Sequence, residues 1–301
     1  MSPDEECDAD AAPASEGRVV PVYSDKVVAI FGGSGRVGKK LRAALHGKVR
    51  SIRILDLLAP DDARANETWS AVDICDFNST VDALKGVDAI VHLAGFPGER
   101  PIEDIVRVNV LGTHNIYEAA RQLRISRVVL GSSNHVTGFF ARDQRVSPDG
   151  PMRPDSLYGL GKCWNELEAG LYFQKYGIES FIIRIANATM EPEDSRSDQR
   201  SRATWVSARD LAQLVMIGLE SPGVDCTTVY GVSRSPLMWW DNTIAFKLGY
   251  NPLDRGLDHT APVEDTPSTV KNRHISDHFQ GGRFCAIDHD GVLRERLSDA
   301  D

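Results

Sequence analysis

Tyr158 and Lys162 stand four residues apart in the run Tyr158-Gly-Leu-Gly-Lys162. On a helix that spacing sets both on one face, so an ammonium can be held beside a phenolic oxygen. A free tyrosine has a pKa of about 10. Service as a base near neutrality requires bringing that value down by roughly 2–3, worth about 3–4 kcal/mol. A neighbouring positive charge works in that direction, whereas burial alone works against it. The pairing, more than the tyrosine, therefore points to proton transfer. Upstream lie Ser132-Ser133-Asn134-His135 and, near the start, Gly32-Gly-Ser-Gly35-Arg-Val-Gly38.

The glycine run follows an apolar stretch, Lys26–Phe31, and opens a helix expected over Val37–Leu45. Gly32 permits the tight turn, Gly35 lets the backbone approach a pyrophosphate, and Gly38 allows close helix packing. The helix N-terminus supplies unpaired N–H groups and partial positive charge for that anion. Arg36 and Val37, between the last two glycines, join this cofactor-binding set. Asp56 ends the next strand, where a carboxylate accepts both ribose hydroxyls and repels a 2′-phosphate. NAD is thus favoured over NADP, with Arg36 the one feature pulling the other way. Asp76 and Phe77, after the third strand, are expected to flank the adenine.

The elements that must position these residues alternate. Strands are expected at 26–31, 51–56, 70–74, 87–93, 127–131, 180–185 and 227–232. Helices are expected at 37–45, 103–123, 156–176, 207–220 and 241–248. Such alternation predicts an α/β fold, a doubly wound parallel (Rossmann) sheet with a smaller C-terminal substrate-binding region. The expected organisation is a disordered acidic leader over 1–22, an NAD-binding domain over 23–186 and a substrate-binding region over 187–252. An irregular, loosely attached tail is expected over 253–301. The leader rests on composition: residues 1–17 hold six acids and no Lys or Arg, leaving a nearly neutral body in a chain of net charge −9. No basic stripe suggests a nucleic-acid partner. No apolar run approaches the roughly 18 residues of a membrane span. Five scattered cysteines without a CxxC pair, and no apolar signal core, fit reduced thiols and a cytoplasmic location.

The glycine spacing, Leu93-Ala94-Gly95, Asn109, Ser132-Ser133 and Tyr158-x-x-x-Lys162 resemble the extended short-chain dehydrogenase/reductase family. That resemblance, over roughly residues 26–250, implies a Ser–Tyr–Lys catalytic set. Tyr158 would be the general base, Lys162 would hold the nicotinamide ribose, and Ser133 would bond the reacting oxygen. It also implies cofactor contacts from Leu93, Ala94, Gly95, Asn109 and Ile185. A narrower match lies in Ser132–His135, Arg184-Ile-Ala-Asn187, Glu191-Pro192, Thr204-Trp205-Val-Ser207 and Trp239-Trp240-Asp241-Asn242, which together look like uronate dehydrogenases. This implies oxidation of galacturonate or glucuronate at the anomeric carbon to an aldarolactone. Asn134, His135 and Asn187 would then bond sugar hydroxyls, and an arginine would bind the carboxylate. Among Arg196, Arg200 and Arg202, Arg200 best matches the family's position. Two departures put the sugar in question: Phe96-Pro97 and Asn187 stand where the family often has serines.

Three other readings remain open. One is an NAD-dependent dehydrogenase of a neutral or phosphorylated hexose. Another is a nucleotide-sugar epimerase, disfavoured because little chain follows Ile185 to build a nucleotide pocket. The third is an NAD sensor without turnover, which would need neither Tyr158 nor Lys162. His274 and His278 share helical spacing, but no third ligand is placed and the chemistry calls for no metal. The expected partner is a small sugar acid. Pairing of two copies through the long helices is an expectation of the family resemblance.

Overall fold

The computed structural model describes residues 23–188, 199–256 and 272–294. The expected leader, Glu191-Pro192 and Arg196 lie outside the described residues. Among these residues the core is a seven-stranded sheet, every pair parallel, in the order β3-β2-β1-β4-β5-β6-β7. The strands are β1 (Val27–Phe31), β2 (Ser51–Asp56), β3 (Glu67–Ala71), β4 (Ala89–His92), β5 (Arg127–Ser133), β6 (Glu179–Ile185) and β7 (Cys226–Gly231). The chain reverses direction across the sheet between β1 and β4. In open α/β sheets the ligand crevice forms at that point.

Two apolar layers sandwich the sheet, as period-2 alternation of side chains requires. On one face Val28, Ile30, Ile54, Val91 and Phe181 pack with Leu41 and Leu45 of α1 (Arg36–Leu45) and with Leu211, Leu214 and Leu219 of α7 (Ala208–Glu220). On the other, Ala29, Phe31, Ile90 and Leu130 meet three helices. These are α2 (Phe77–Leu84), α4 (Gly112–Leu123) and α5 (Leu157–Tyr176). Because α7 shares a core with β1 and α1, the boundary expected at 186/187 cuts through one packed unit.

Three expectations change. β3 begins three residues earlier than Ser70–Ile74. It is an edge strand on which Glu67 alone is buried, so it lacks an apolar signature. Val72 and Ile74, which suggested the strand, turn into the core just beyond it. The helix expected over 103–123 starts at α3 (Ile102–Asp104) and passes through a π-helical stretch, Ile105–Leu111, before α4. Such bulges are frequent at functional sites, and this one carries Asn109.

The third change concerns the tail. Residues 272–294 are not loosely attached. After α6 (Gln199–Thr204) and α8 (Thr243–Lys247), the helices α9 (Arg273–His278) and α10 (Arg283–Ala286) fold back on the loop that follows β5. Gln280 is the fastener. Its amide nitrogen donates to the carbonyls of Ala141 (2.9 Å) and Gln144 (2.8 Å), and its amide oxygen accepts from Trp240 Nε1 (3.0 Å). A segment held by polar bonds to backbone shows no apolar period in sequence. The Trp239–Asn242 motif is scaffolding too: Trp240 is fully buried and stacks on Tyr230 at 4.8 Å, while Asn242 pairs with the Tyr230 backbone.

Arg42 locks α1 to the β3 edge. It is fully buried, donates to the Gly33 carbonyl (2.9 Å) and pairs with Glu67 and Asp62. Removing one member of a buried pair typically costs 3–5 kcal/mol because the other charge stays buried. Arg42→Met is therefore expected to lower unfolding free energy by about 3 kcal/mol, with Arg42→Met/Glu67→Leu recovering much of it. Urea unfolding checks this. A loss by Arg42→Met below about 1 kcal/mol would contradict it.

Candidate active site

The glycine turn is built to admit something flat against it. Gly32 takes φ +78°, and a Cβ there would lie 2.8 Å from Ala94 N. A Cβ on Gly38 would lie 2.3 Å from the Gly32 carbonyl oxygen, so the turn and α1 can meet only as glycines. Gly35 caps α1 without a side-chain bond, leaving the N-terminal amides to an anion. A cavity of about 480 Å³ runs over this turn, lined by Gly32, Gly35, Arg36, Val37, Gly38 and Asp56 and by Leu93, Ala94 and Gly95. Asp56 is pinned there: one carboxylate oxygen accepts from Ser34 N (3.0 Å), the other from Leu58 N (3.3 Å). These residues fit a dinucleotide.

Asp76 and Phe77, expected to flank the adenine, stand outside the cavity lining. Asp76 caps α2, accepting from Ser79 N (3.2 Å), and Phe77 packs into the core beside α2, so neither lines the cavity. Val72, Asp73, Ile74, Leu57 and Arg107 do. The three-residue displacement follows from the earlier end of β3. Asn109 also stands behind the wall. Its amide grips the Phe96 backbone from both sides, at 2.8 and 3.0 Å, and so shapes the loop that carries Phe96 and Pro97 along the cavity.

A second cavity, about 310 Å³, shares Arg36, Val37, Leu93, Gly95, Phe96 and Pro97 with the first. It brings together Ser133, Asn134, His135, Tyr158, Lys162, Ile185, Asn187 and Arg200, every expected catalytic and substrate residue. Ser133 ends β5, so its hydroxyl emerges at the sheet edge, in the same cavity as the Tyr158 phenol. Tyr158 and Lys162 lie on the first turns of α5, whose N-terminus is held twice. Ser156 Oγ accepts from Gly159 N (3.0 Å), and the Glu99 carboxylate accepts from Leu157 N and Tyr158 N (3.1 Å each). Ser156 is legible as a cap in sequence; Glu99, arriving from the loop after β4, is not.

Lys162 does not prime Tyr158 in the way the spacing suggested. Its ammonium donates to the Gly131 carbonyl (2.7 Å) and stands 6.0 Å from the phenol ring centre. Burial pushes the Tyr158 pKa up to about 12, with the Ser133 hydroxyl opposing and the Asp155 charge adding to the rise. Burial likewise pulls Lys162 down to about 8, with Glu166 opposing. Left to the polypeptide alone, the phenol is harder to ionise than a free tyrosine.

On the substrate side, Asn134 is buried and its Nδ2 has no hydrogen-bond partner among the described residues. His135 Nδ1 lies 2.7 Å from Asp155 Oδ2, and its ring stacks on Phe284 at 3.9 Å. Arg200 Nε donates to the Gln280 carbonyl (2.6 Å), so the C-terminal segment shapes the wall. Arg202 does not line the cavity. Phe284 was missed because it comes from the segment without periodicity; nothing in the sequence ties it to His135.

A sequence model of the NAD dependent epimerase/dehydratase family matches residues 28–218, and the chain belongs to that family, with NAD as its cofactor. It is 40% identical over 257 residues to a uronate dehydrogenase of Pseudomonas putida, covering 85% of this chain and 94% of that one. The crystal structure of glucuronic acid dehydrogenase from Chromohalobacter salexigens superposes with a TM-score of 0.79 at 36% identity, covering 87% of this chain and 97% of that one. Uronate dehydrogenase from Agrobacterium tumefaciens, solved as a mutant complexed with NAD, gives 0.77 at 33%, covering 89% and 99%.

Asp56→Ala should weaken NAD binding and narrow the preference for NAD over NADP by about tenfold, the worth of one charged hydrogen bond. Fluorescence titration with NADH and NADPH reads this. An unchanged ratio would remove Asp56 from cofactor choice.

Proposed function

We propose that the protein oxidises a uronic acid, galacturonate or glucuronate, at its anomeric carbon and releases an aldarolactone. It is an NAD-dependent oxidoreductase acting on a CH–OH group. The observation that carries the reading is the single cavity that holds Ser133, Tyr158, Lys162 and Arg200 against the dinucleotide cradle.

The glycine cradle and Asp56 would hold NAD, which would supply the hydride acceptor and, in its oxidised form, positive charge. Tyr158 Oη takes the proton of the anomeric hydroxyl while Ser133 Oγ holds that same oxygen. Lys162, which lines the same cavity, would donate to the nicotinamide ribose. The C1–H bond breaks as the C1=O bond of the lactone forms, and the ring oxygen stays in place, so no water is consumed. Arg200 offers a guanidinium to the carboxylate, the group that separates a uronate from the matching aldose. Asn134 Nδ2, His135 and Asn187 bond the hydroxyls. Pro97 offers no hydroxyl at the shared wall, which narrows the polar contacts to the opposite side.

Among the described residues no helix is long and apolar enough to cross a membrane. Leu160, Trp164, Leu167 and Leu171 form an exposed apolar row on α5, each at least half exposed. The row supports pairing of two copies through this helix. A monomer in sedimentation equilibrium would contradict that.

The test is NADH formation over galacturonate, glucuronate, glucose, galactose and glucose 6-phosphate. Turnover is expected with a uronate. Tyr158→Phe should cut kcat by about 10³ while leaving NAD affinity within about twofold, the usual weight of a general base. Arg200→Ala should raise KM for the uronate far more than for its neutral aldose. Oxidation confined to a neutral or phosphorylated hexose, or equal effects of Arg200→Ala on both sugars, would reject the carboxylate reading.

A further inference from the structure

Asp155 lines neither cavity, yet it joins three parts of the site. Its side chain is fully buried. Three donors face it: His135 Nδ1 at 2.7 Å and Cys285 Sγ at 4.0 Å from Oδ2, and Ser156 Oγ at 2.8 Å from Oδ1. Two backbone segments close over it without side chains. A Cβ on Gly138 would stand 1.8 Å from Oδ2, and one on Gly281 would stand 1.9 Å away. These glycines are bonded to each other, Gly281 N to the Gly138 carbonyl at 2.8 Å. The carboxylate is thus wedged between the loop after β5, the start of α5 and the C-terminal segment.

A buried carboxylate persists only where donors meet it, and when ionised it can only accept. His135 must therefore offer Nδ1–H. In a neutral imidazole the proton on one nitrogen leaves the lone pair on the other. The ring cannot turn freely, being stacked on Phe284 and set edge-on to Tyr158 at 6.0 Å. With Nδ1 committed, Nε2 is the nitrogen His135 has for a ligand in the cavity it lines.

We infer that Asp155 is a positioning residue that fixes His135 as the Nδ1–H tautomer, so that Nε2 accepts a hydrogen bond from a sugar hydroxyl. This rests on the reading of the cavity as a sugar-acid site. It gives that site a polarity: an acceptor at His135 beside a donor at Asn134 Nδ2. A hydroxyl replaced by hydrogen or fluorine at the His135 position loses its contact, because neither can donate.

The experiment uses the full chain labelled with ¹⁵N-histidine at about pH 8, above the usual histidine range. Long-range ¹H–¹⁵N correlations distinguish the two tautomers, and His135→Gln assigns the signal by its loss. The wild type is expected to show Nδ1–H. In Asp155→Asn, Ser156 Oγ accepts from Gly159 N and must still donate to Oδ1. The amide oxygen therefore stays there, its NH₂ faces His135, and the imidazole switches to Nε2–H. With the donor now on the wrong nitrogen, KM for the uronate should rise about 10- to 100-fold, with NAD affinity within about twofold. A structural role alone would move melting temperature without moving the tautomer. An Nε2–H signal in the wild type overturns the inference, and so does a switched tautomer in Asp155→Asn with unchanged KM. Should that variant fail to fold, the wild-type spectrum still decides. Because the spectrum needs no substrate, failure of the uronate reading is seen separately, in the NADH assay.

Discussion

Everything in this site turns on removing a phenol and an ammonium from water together. Burial, the largest influence on each, leaves Tyr158 near 12 and Lys162 near 8, reversing the order of their free values. The ionised phenol that the proposed mechanism calls for is therefore disfavoured by the same walls that exclude water. In that mechanism the oxidised ring of bound NAD would supply the offsetting positive charge. The fold's task is to present one cradle to the dinucleotide and one short helix face to the substrate, so that the charge arrives where the phenol is.

The scaffold behind that face is polar and costly. Beneath Lys162 the Glu166 carboxylate takes a bidentate pair from Arg184 at 3.0 and 2.8 Å, and Ser132 donates to the same carboxylate. Arg184 continues to Tyr230 (3.1 Å), which reaches Thr137 (3.2 Å) and stacks on Trp240. A buried ion pair contributes little net stability. Its value here is geometric, since it ties β5, β6, β7 and α5 at the edge where Ser133, Tyr158 and Lys162 emerge. Glu99 adds a second tie, joining the cofactor loop to the N–H of Tyr158 itself.

The C-terminal segment changes the picture of the substrate side. Gln280 pins it to the loop after β5, Arg200 bonds its backbone, and Phe284 covers His135. The wall of the proposed substrate cavity is thus assembled from three distant stretches of chain, whereas the cavity over the glycine turn is lined entirely from residues 32–108.

The sheet, the glycine turn, Asp56 and the grouping of Ser133, Tyr158 and Lys162 were legible in local spacing: apolar runs of strand length, glycines at a turn, residues four apart on a helix. The sequence alone placed β3 three residues late, and with it the residues lining that end of the cavity, since an exposed edge strand with one buried glutamate carries no apolar signal. It could not show that Lys162 points at a carbonyl rather than the phenol, nor that burial would raise the tyrosine. Those outcomes depend on solvent exclusion by the whole fold. Glu99, Asp155, Gln280 and Phe284 were decided by tertiary structure alone, because each acts across a long sequence separation through contacts to backbone or to a single ring. Such contacts impose no period on the chain.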